Sequence, residues 1–290
     1  MKYDRHDKEW SEVLATPIAE SWLKKDTLDA WRHNRLRSFV DQVVLNDLNA
    51  SWLTVGDGRF GSDASYLINL GARNVHASDI SDTLLKIGSK KKFINSFSAQ
   101  NAEFLRFEDN SFDYVFCKDA LHHVPRPYLA MHEMLRVSKR GVFLIEPRDH
   151  FVDQALFFGF YKMLRRFFFL PSEDHGFESI GNYVYTFSER EFKKFLLGMH
   201  LTDIAFSGCN DAYIDGVEYI NEKSRRIKDM LIAARIRLKI LLLNYLNFFQ
   251  FRKSGVIVVA LFKMRPDDNL KTKMRKKGWK FEKLPINPYL

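Results

Sequence analysis

At 290 residues with 46% hydrophobic side chains, the chain is long enough for one large α/β domain with insertions, or for a domain with appendages. A formal charge of +9 invites a nucleic-acid reading, but much of the excess lies after Met264, where Lys271, Lys273, Arg275, Lys276, Lys277, Lys280 and Lys283 outnumber Asp267, Asp268 and Glu282. The two cysteines, Cys117 and Cys209, suit neither a disulfide framework nor a zinc site and fit a reducing cytosol.

The opening MKYDRHDKEW lacks the apolar run of a secretory signal. Residues 1–49 read as a helical cap, with Trp22, Leu28, Trp31, Leu36, Phe39, Val40, Val43 and Val44 at helical spacing. From Trp52 to Asp79 the order is strand, glycine turn, helix, strand and acidic residue. Leu53 and Val55 make the first strand apolar, and Gly56 and Gly58 let the backbone turn tightly against a ligand. A helix over about Ser62 to Leu70 follows, its unpaired amides facing whatever sits over the turn. After Gly71, Val75 to Ser78 form a second strand, and Asp79 at its carboxyl end is able to accept both hydroxyls of a ribose. This is the front half of a mononucleotide-binding unit, which points to an adenosine-containing cofactor.

A second block strengthens that reading. Asn101-Ala102-Glu103, Phe107 and Asp109-Asn110-Ser111-Phe112-Asp113 precede the strand Tyr114 to Cys117, which leads into Lys118-Asp119-Ala120-Leu121-His122-His123-Val124-Pro125. With these blocks the chain resembles the class I S-adenosylmethionine-dependent methyltransferases, in particular the broad type 11-like group with NAE-x-LPF-x-DxSFD-like and LHHV-like segments. The resemblance is close over about residues 50 to 150 and looser on to Phe262.

The resemblance implies a Rossmann-like three-layer α/β sandwich: a seven-stranded, mostly parallel sheet with an antiparallel last strand, plus helical insertions. It implies S-adenosylmethionine as cofactor. Val55, Gly56, Asp57 and Gly58 line its methionine end, and Asp79 binds the ribose. Ile80 flanks the adenine, Asn101 and Ala102 contact its edge with Glu103 in the same set, and Lys118 begins the wall beside the sulfonium. Three positions depart from the pattern. Thr54 stands where the family usually has an acidic residue, Phe60 where a third glycine is common, and Asn101 where aspartate is frequent.

Further along, GVFLIE from Gly141 to Glu146 reads as a strand buried on both faces. A phenylalanine-rich insertion spans about 151–187, and Ser188 with Glu191 forms a capping box for a helix to Met199. Strands follow at Thr202 to Ser207 and Val256 to Phe262, expected to pair antiparallel by resemblance. Between them, in a second insertion at about 210–252, lies a helix from about Asp215 to Phe251. Arg235, Arg237 and Lys239 interrupt it too strongly for a transmembrane span. Lys228, Arg235 and Lys239 fall near one face, and Leu231, Ala234, Leu238, Leu241 and Tyr245 near another. Such a helix either packs on protein or lies at a membrane interface, there partnered by the segment Ala155 to Leu170. The methyltransferase domain thus spans 50–264, and residues 265–290 read as a solvated basic arm with possible contact to RNA phosphates or anionic lipid.

Ligands of open α/β sheets sit outside the carboxyl ends of the strands. Proton removal from a hydroxyl acceptor there suits a histidine. His123 is the preferred base, with His122, Glu146 and His150 as further catalytic candidates; adjacent histidines are not expected to face one cleft together. Arg148 suits an anionic substrate group, Asp149 a hydroxyl, and Tyr183 and Tyr185 a stacking surface. No metal is expected, Asp119 with Asp149 being the weak exception. The absence of a DPPY- or NPPY-like run after the fourth strand disfavours amide or adenine-amine methylation, and the apolar insertions favour a lipid-linked acceptor. The chain therefore reads as a cytoplasmic O-methyltransferase of a small molecule or of a sugar in a surface glycan or glycolipid, with peripheral membrane contact favoured over a nucleic-acid partner. Two alternatives stay open. Gly56 to Gly61 has the GxGxxG spacing of an NAD-dependent oxidoreductase, although the second block has no role there, and Thr54 with Phe60 suits a non-catalytic partner protein.

Overall fold

Apolar residues alternate along the first strand, β1 (Ser51–Val55), so that Trp52 packs into one core and Leu53 and Val55 into another. The same division recurs in β4 (Phe112–Lys118), where Tyr114 and Phe116 face one side and Val115 and Cys117 the other. It recurs again in β5 (Ser138–Pro147), with Phe143 and Ile145 opposite Val142 and Leu144. Strands buried on both faces demand helices on both faces, and the computed structural model has that three-layer arrangement. It describes residues 16–153, 176–177 and 183–289, together with Glu12 and Leu14.

The sheet has eight strands in the order β3-β2-β1-β4-β5-β7-β6-β8. β2 (Asn74–Asp79), β3 (Phe97–Ala99), β1, β4 and β5 run parallel. β7 (Val256–Phe262) enters antiparallel between β5 and β6 (Asp203–Cys209), as expected for the last two strands of the domain. The order reverses between β1 and β4, which opens a crevice at their carboxyl ends.

Helix α1 (Pro17–Trp22) and α2 (Leu28–Arg37) precede the sheet. Thr27 caps α2 by accepting from the Ala30 amide at 3.1 Å. α3 (Ser62–Asn69), α4 (Thr83–Lys90) and α5 (Pro127–Val137) cover the parallel half. α6 (Glu189–Gly198) begins at the expected capping box, with both the Ser188 and Glu191 side chains engaged. The second insertion is irregular as far as Arg226, and α7 then runs 22 residues, Ile227–Phe248.

The basic C-terminal segment is not a free arm. Helix α8 (Asp268–Lys276) buries Leu270 and Met274, Trp279 is 2% exposed, and β8 (Lys280–Lys283) pairs antiparallel with β6 as an eighth strand. Apart from the buried Lys271, its lysines and arginines lie on the outward face of an element whose apolar stripe docks on the core. The phenylalanine-rich stretch 155–170 lies outside the described residues.

Candidate functional site

A cavity of about 680 Å³ opens at the carboxyl ends of β1, β2 and β4. Val55, Gly56, Asp57, Gly58, Asp79, Ile80, Asn101, Ala102 and Lys118 all line it, so nine of the ten predicted cofactor residues converge. Gly56 is required there for two reasons. Its φ is +74°, and a Cβ would stand 2.2 Å from the Ala120 Cβ.

The turn is built differently from its glycine count alone. Phe60 holds φ +59° where glycine is common, and its ring is buried with Ala19 and Leu84. Thr54 donates its hydroxyl to the Asp57 carboxylate at 2.9 Å, and that carboxylate accepts from the Asp63 and Ala64 amides at 2.9 and 2.8 Å. Asp57 therefore supplies the acidic group missing at Thr54. The first amides of α3 are consequently taken by Asp57 rather than aimed at a ligand. Burial, then the Asp63 carboxylate, raise the Asp57 carboxyl above its usual range, against the pull of these three donors.

Asp79 ends β2 buried, its carboxylate accepting from the Ser81 amide at 3.1 Å. The Asn101 amide oxygen accepts from the Glu103 amide at 2.9 Å, closing a local turn. Glu103 is the exception among the cofactor candidates. Its buried carboxylate accepts from the Arg126 backbone amide at 2.8 Å and from Arg126 Nε at 2.9 Å, fastening the loop before α5 rather than lining the cavity.

His122 and His123 both line the cavity, which departs from the expectation that only one would; their rings lie 3.9 Å apart in the short turn Leu121–His123. Glu146 lies wholly buried behind that turn. It accepts from the Leu121 amide at 2.9 Å, the Ala120 amide at 3.3 Å and His122 Nδ1 at 2.6 Å. An ionised carboxylate can only accept, so Nδ1 carries the proton and Nε2 is the basic nitrogen of His122. Glu146 thus holds a histidine in one tautomer and is itself outside the cavity.

The remaining predicted residues do structural work. His150 Nε2 is 3.2 Å from Arg252 Nη2, away from the cavity lining. Arg148 is 5% exposed and donates to Ser254 O at 2.9 Å, Glu189 Oε1 at 3.0 Å and the Asp153 carboxylate. It ties the end of β5 to α6 through Nε and Nη1, and it does not line the cavity. Asp149 accepts from the Phe151 and Val152 amides at 2.8 and 3.1 Å. Tyr185 donates from its amide to His122 O at 3.0 Å and from its hydroxyl to Pro125 O at 3.1 Å, bracing the histidine turn. Tyr183 is exposed against Phe177 and does not line the cavity.

The opposite wall comes from residues that the sequence did not single out. Asp29, Arg32 and His33 on α2 join Asp211, Tyr213 and Glu218 from the second insertion. Arg32 pairs with Asp29 at 2.9 Å, donates from Nε to Asp211 at 3.1 Å, and stacks over Tyr213 at 5.0 Å. Tyr213 donates to Glu218 at 2.7 Å. His33 Nδ1 is 3.1 Å from Lys118 Nζ and its Nε2 is 3.1 Å from Arg59 Nη1. Burial, then Lys118 and Arg59, hold this imidazole well below its usual pKa, and it is neutral near pH 7. Burial raises the Asp119 carboxyl, but Lys118 at 2.9 Å, with His122 and Arg59, leaves the group below its usual value. A faint signal was present: Asp29, Arg32 and His33 share one face of the helix at i, i+3 and i+4. Among the described residues, no group of three or more His, Cys, Asp or Glu is arranged to hold a metal ion.

The donor set fits an adenosine-type ligand, with a carboxylate for a diol, apolar Ile80 and Ala102 for a planar base, and a glycine turn for close approach. Comparison with known proteins agrees. The methyltransferase domain family matches residues 53–145. Demethylmenaquinone methyltransferase of Renibacterium salmoninarum is 42% identical over 138 residues, covering 47% of this chain and 57% of the relative. The ubiquinone/menaquinone biosynthesis C-methyltransferase UbiE of Bartonella quintana is 29% identical over 146 residues, covering 48% and 51%. The chain thus spans about half the length of the curated relatives it matches. Among solved structures, the YcgJ protein of Bacillus subtilis superposes with a TM-score of 0.51 at 17% identity, covering 81% of this chain and all of that one, a likeness of fold.

Proposed function

We propose, from the match of residues 53–145 to a methyltransferase domain family, an S-adenosylmethionine-dependent enzyme that transfers a methyl group to a hydroxylated small molecule, or to a sugar of a surface glycan or glycolipid. Its proposed place is the cytoplasm, with peripheral contact at the inner face of a membrane. The observation that carries the reading is one cavity in which the cofactor motif residues meet the His122 held by Glu146 and a polar far wall.

S-adenosylmethionine, when bound, supplies an electrophilic methyl on its sulfonium, and in transfer the methyl–sulfur bond breaks as the methyl–oxygen bond forms. The protein's tasks are alignment and proton removal. Gly56 and Gly58 let the backbone approach the methionine end, Asp79 holds the ribose hydroxyls, and Ile80 with Ala102 encloses the base. His122, with Nδ1–H on Glu146, takes the acceptor proton at Nε2. His123 beside it orients the acceptor hydroxyl. Asp29, Arg32, Asp211 and Glu218 suit several acceptor hydroxyls, with Tyr213 as an aromatic surface.

The relatives named as quinone methyltransferases favour a second reading, transfer to a ring carbon beside a phenolic hydroxyl. It needs the same proton removal. The family match at 53–145 leaves out both α2 and the 211–218 wall, so it bears on the cofactor half of the cavity far more than on the acceptor half.

Calorimetric titration with S-adenosylmethionine and S-adenosylhomocysteine tests the cofactor site. Micromolar binding is expected, weakened about 100-fold in Asp79→Ala, as loss of two hydrogen bonds to a charged group predicts at about 1.5 kcal/mol each. Absence of binding by a chain shown folded by circular dichroism overturns the enzyme reading in favour of a non-catalytic partner protein. Labelled methyl transfer to sugars, glycolipids and quinols then separates the two acceptor readings.

A further inference from the structure

Helix α7 has two apolar faces. Ala233, Ile236 and Ile240 point inward and pack with Leu28, Ala212, Val217 and Ile220. On the opposite side Ile227, Leu231, Leu238, Leu241, Tyr245 and Phe248 form a stripe about 100° wide at 100° per residue. They stand between 56% and 80% exposed, values that leave most of each side chain without protein cover. Lys228, Arg235 and Lys239 run along one border of the stripe and Arg226 and Arg237 along the other. The helix, at 22 residues, is about 33 Å long.

We infer that the outer face of α7 is a docking surface for an anionic lipid bilayer, lying in the interface with its apolar stripe among the acyl chains and its basic borders on the headgroups. The inference rests on the proposed peripheral membrane contact and names the surface that makes it. Charge selects this occupant over a second copy of the chain. From Lys223 to Lys253 there are nine Lys and Arg against one acidic residue, Asp229. Among the described residues no carboxylate pairs with Lys228, Arg235 or Lys239. Two such faces brought together would set like charges against each other, whereas acidic headgroups would neutralise the Lys228, Arg235 and Lys239 border; on the other border Arg237 already pairs with Glu222 at 3.6 Å. Tyr245, Phe248, Phe249 and Phe251 cluster at one end, with successive rings 4.7 to 6.4 Å apart, a composition suited to the headgroup level. Among the described residues no helix is long and apolar enough to cross a membrane, so α7 lies on the surface rather than through it.

Docking also concerns the cavity. The residues on which the inner face of α7 packs, Leu28, Ala212 and Val217, are the chain neighbours of the cavity-lining Asp29, Asp211, Tyr213 and Glu218. A bilayer against α7 would thus lie one helix diameter, roughly 10 Å, from the acceptor wall, which suits an acceptor carried by a lipid.

The test is vesicle flotation of the full chain at low salt, with phosphatidylglycerol-containing and pure phosphatidylcholine vesicles. Binding to the anionic vesicles at least tenfold stronger than to neutral ones is expected. It should fall about fivefold for each charge removed in Arg235→Gln and Lys239→Gln. It should vanish in the combined Leu238→Ser, Leu241→Ser, Tyr245→Ser variant, whose exposed positions leave the fold intact by circular dichroism and S-adenosylmethionine binding unchanged. If the serine variant floats as well as the parent, another surface makes the contact and the inference falls. If the parent fails to float, the membrane contact itself falls. If light scattering shows a stable dimer that the serine variant dissolves, α7 is a subunit interface instead.

Discussion

Replacing Glu146 by glutamine changes one atom type at the centre of the site and should reverse the hydrogen-bonding sense of His122. The carboxylate accepts from the Ala120 and Leu121 amides through one oxygen and from His122 Nδ1 through the other, at 2.6 Å. In Glu146→Gln the carboxamide oxygen is kept by the two backbone amides, because turning it the other way would face two donors with the NH2 group. The NH2 then meets His122, whose Nδ1 must become an acceptor, and the proton moves to Nε2. The cost to folding is that of exchanging a buried charge-assisted hydrogen bond for a neutral one, about 2 kcal/mol. With an unfolding entropy of about 2.1 cal/mol/K per residue across 290 residues, that corresponds to a fall of about 3 °C in Tm. Methyl transfer, which needs a basic Nε2 in the proposed scheme, should drop about 10²–10⁴-fold with cofactor binding retained. Nitrogen-15 NMR of the imidazole reads the tautomer directly and requires no acceptor. An unchanged tautomer and an unchanged Tm would refute the role assigned to Glu146.

Gly56→Ala should cost about 2–4 kcal/mol in urea unfolding, combining an unfavourable positive φ with overpacking against Ala120. Adding Ala120→Gly should recover the overpacking part and leave the φ part; no recovery would show that the close approach is not the cause. His33 supplies a pH signature. Its folded pKa lies well below 6.5, so as pH falls the unfolded chain takes up the proton first, and stability is lost below about pH 6.5 by up to about 1.4 kcal/mol per pH unit. Urea midpoints at pH 7 and 5.5 should differ less in His33→Gln than in the parent, and equal differences would contradict the buried neutral imidazole.

The sequence by itself determined what short-range physics determines. The apolar run Gly141 to Glu146 fixed a doubly buried strand, and Gly56 fixed a turn that no L side chain fits. Ser188 and Glu191 fixed a helix start, and the spacing of these elements fixed the order in which a cofactor crevice forms. The nine converging cofactor candidates belong to this class, since each ends a strand or follows one within a few positions. Charge density in the last 26 residues misled, because the outward lysines and arginines of the whole segment outnumber the apolar Leu270, Met274 and Trp279 that hold it to the sheet.

Tertiary structure alone decided the pairings between distant residues. Glu146 reaches His122 across 24 positions, and Arg32 meets Asp211 across 179. No local pattern encodes such a contact, because the burial that makes a polar partner obligatory exists only once the sheet and its covering helices have closed. For the same reason Arg148 and Glu103, which by type alone suit ligand binding, became internal clamps, while Asp29 and His33 became the cavity wall. The residue types were legible in the chain, but which face of each element meets solvent, cavity or core was settled by packing.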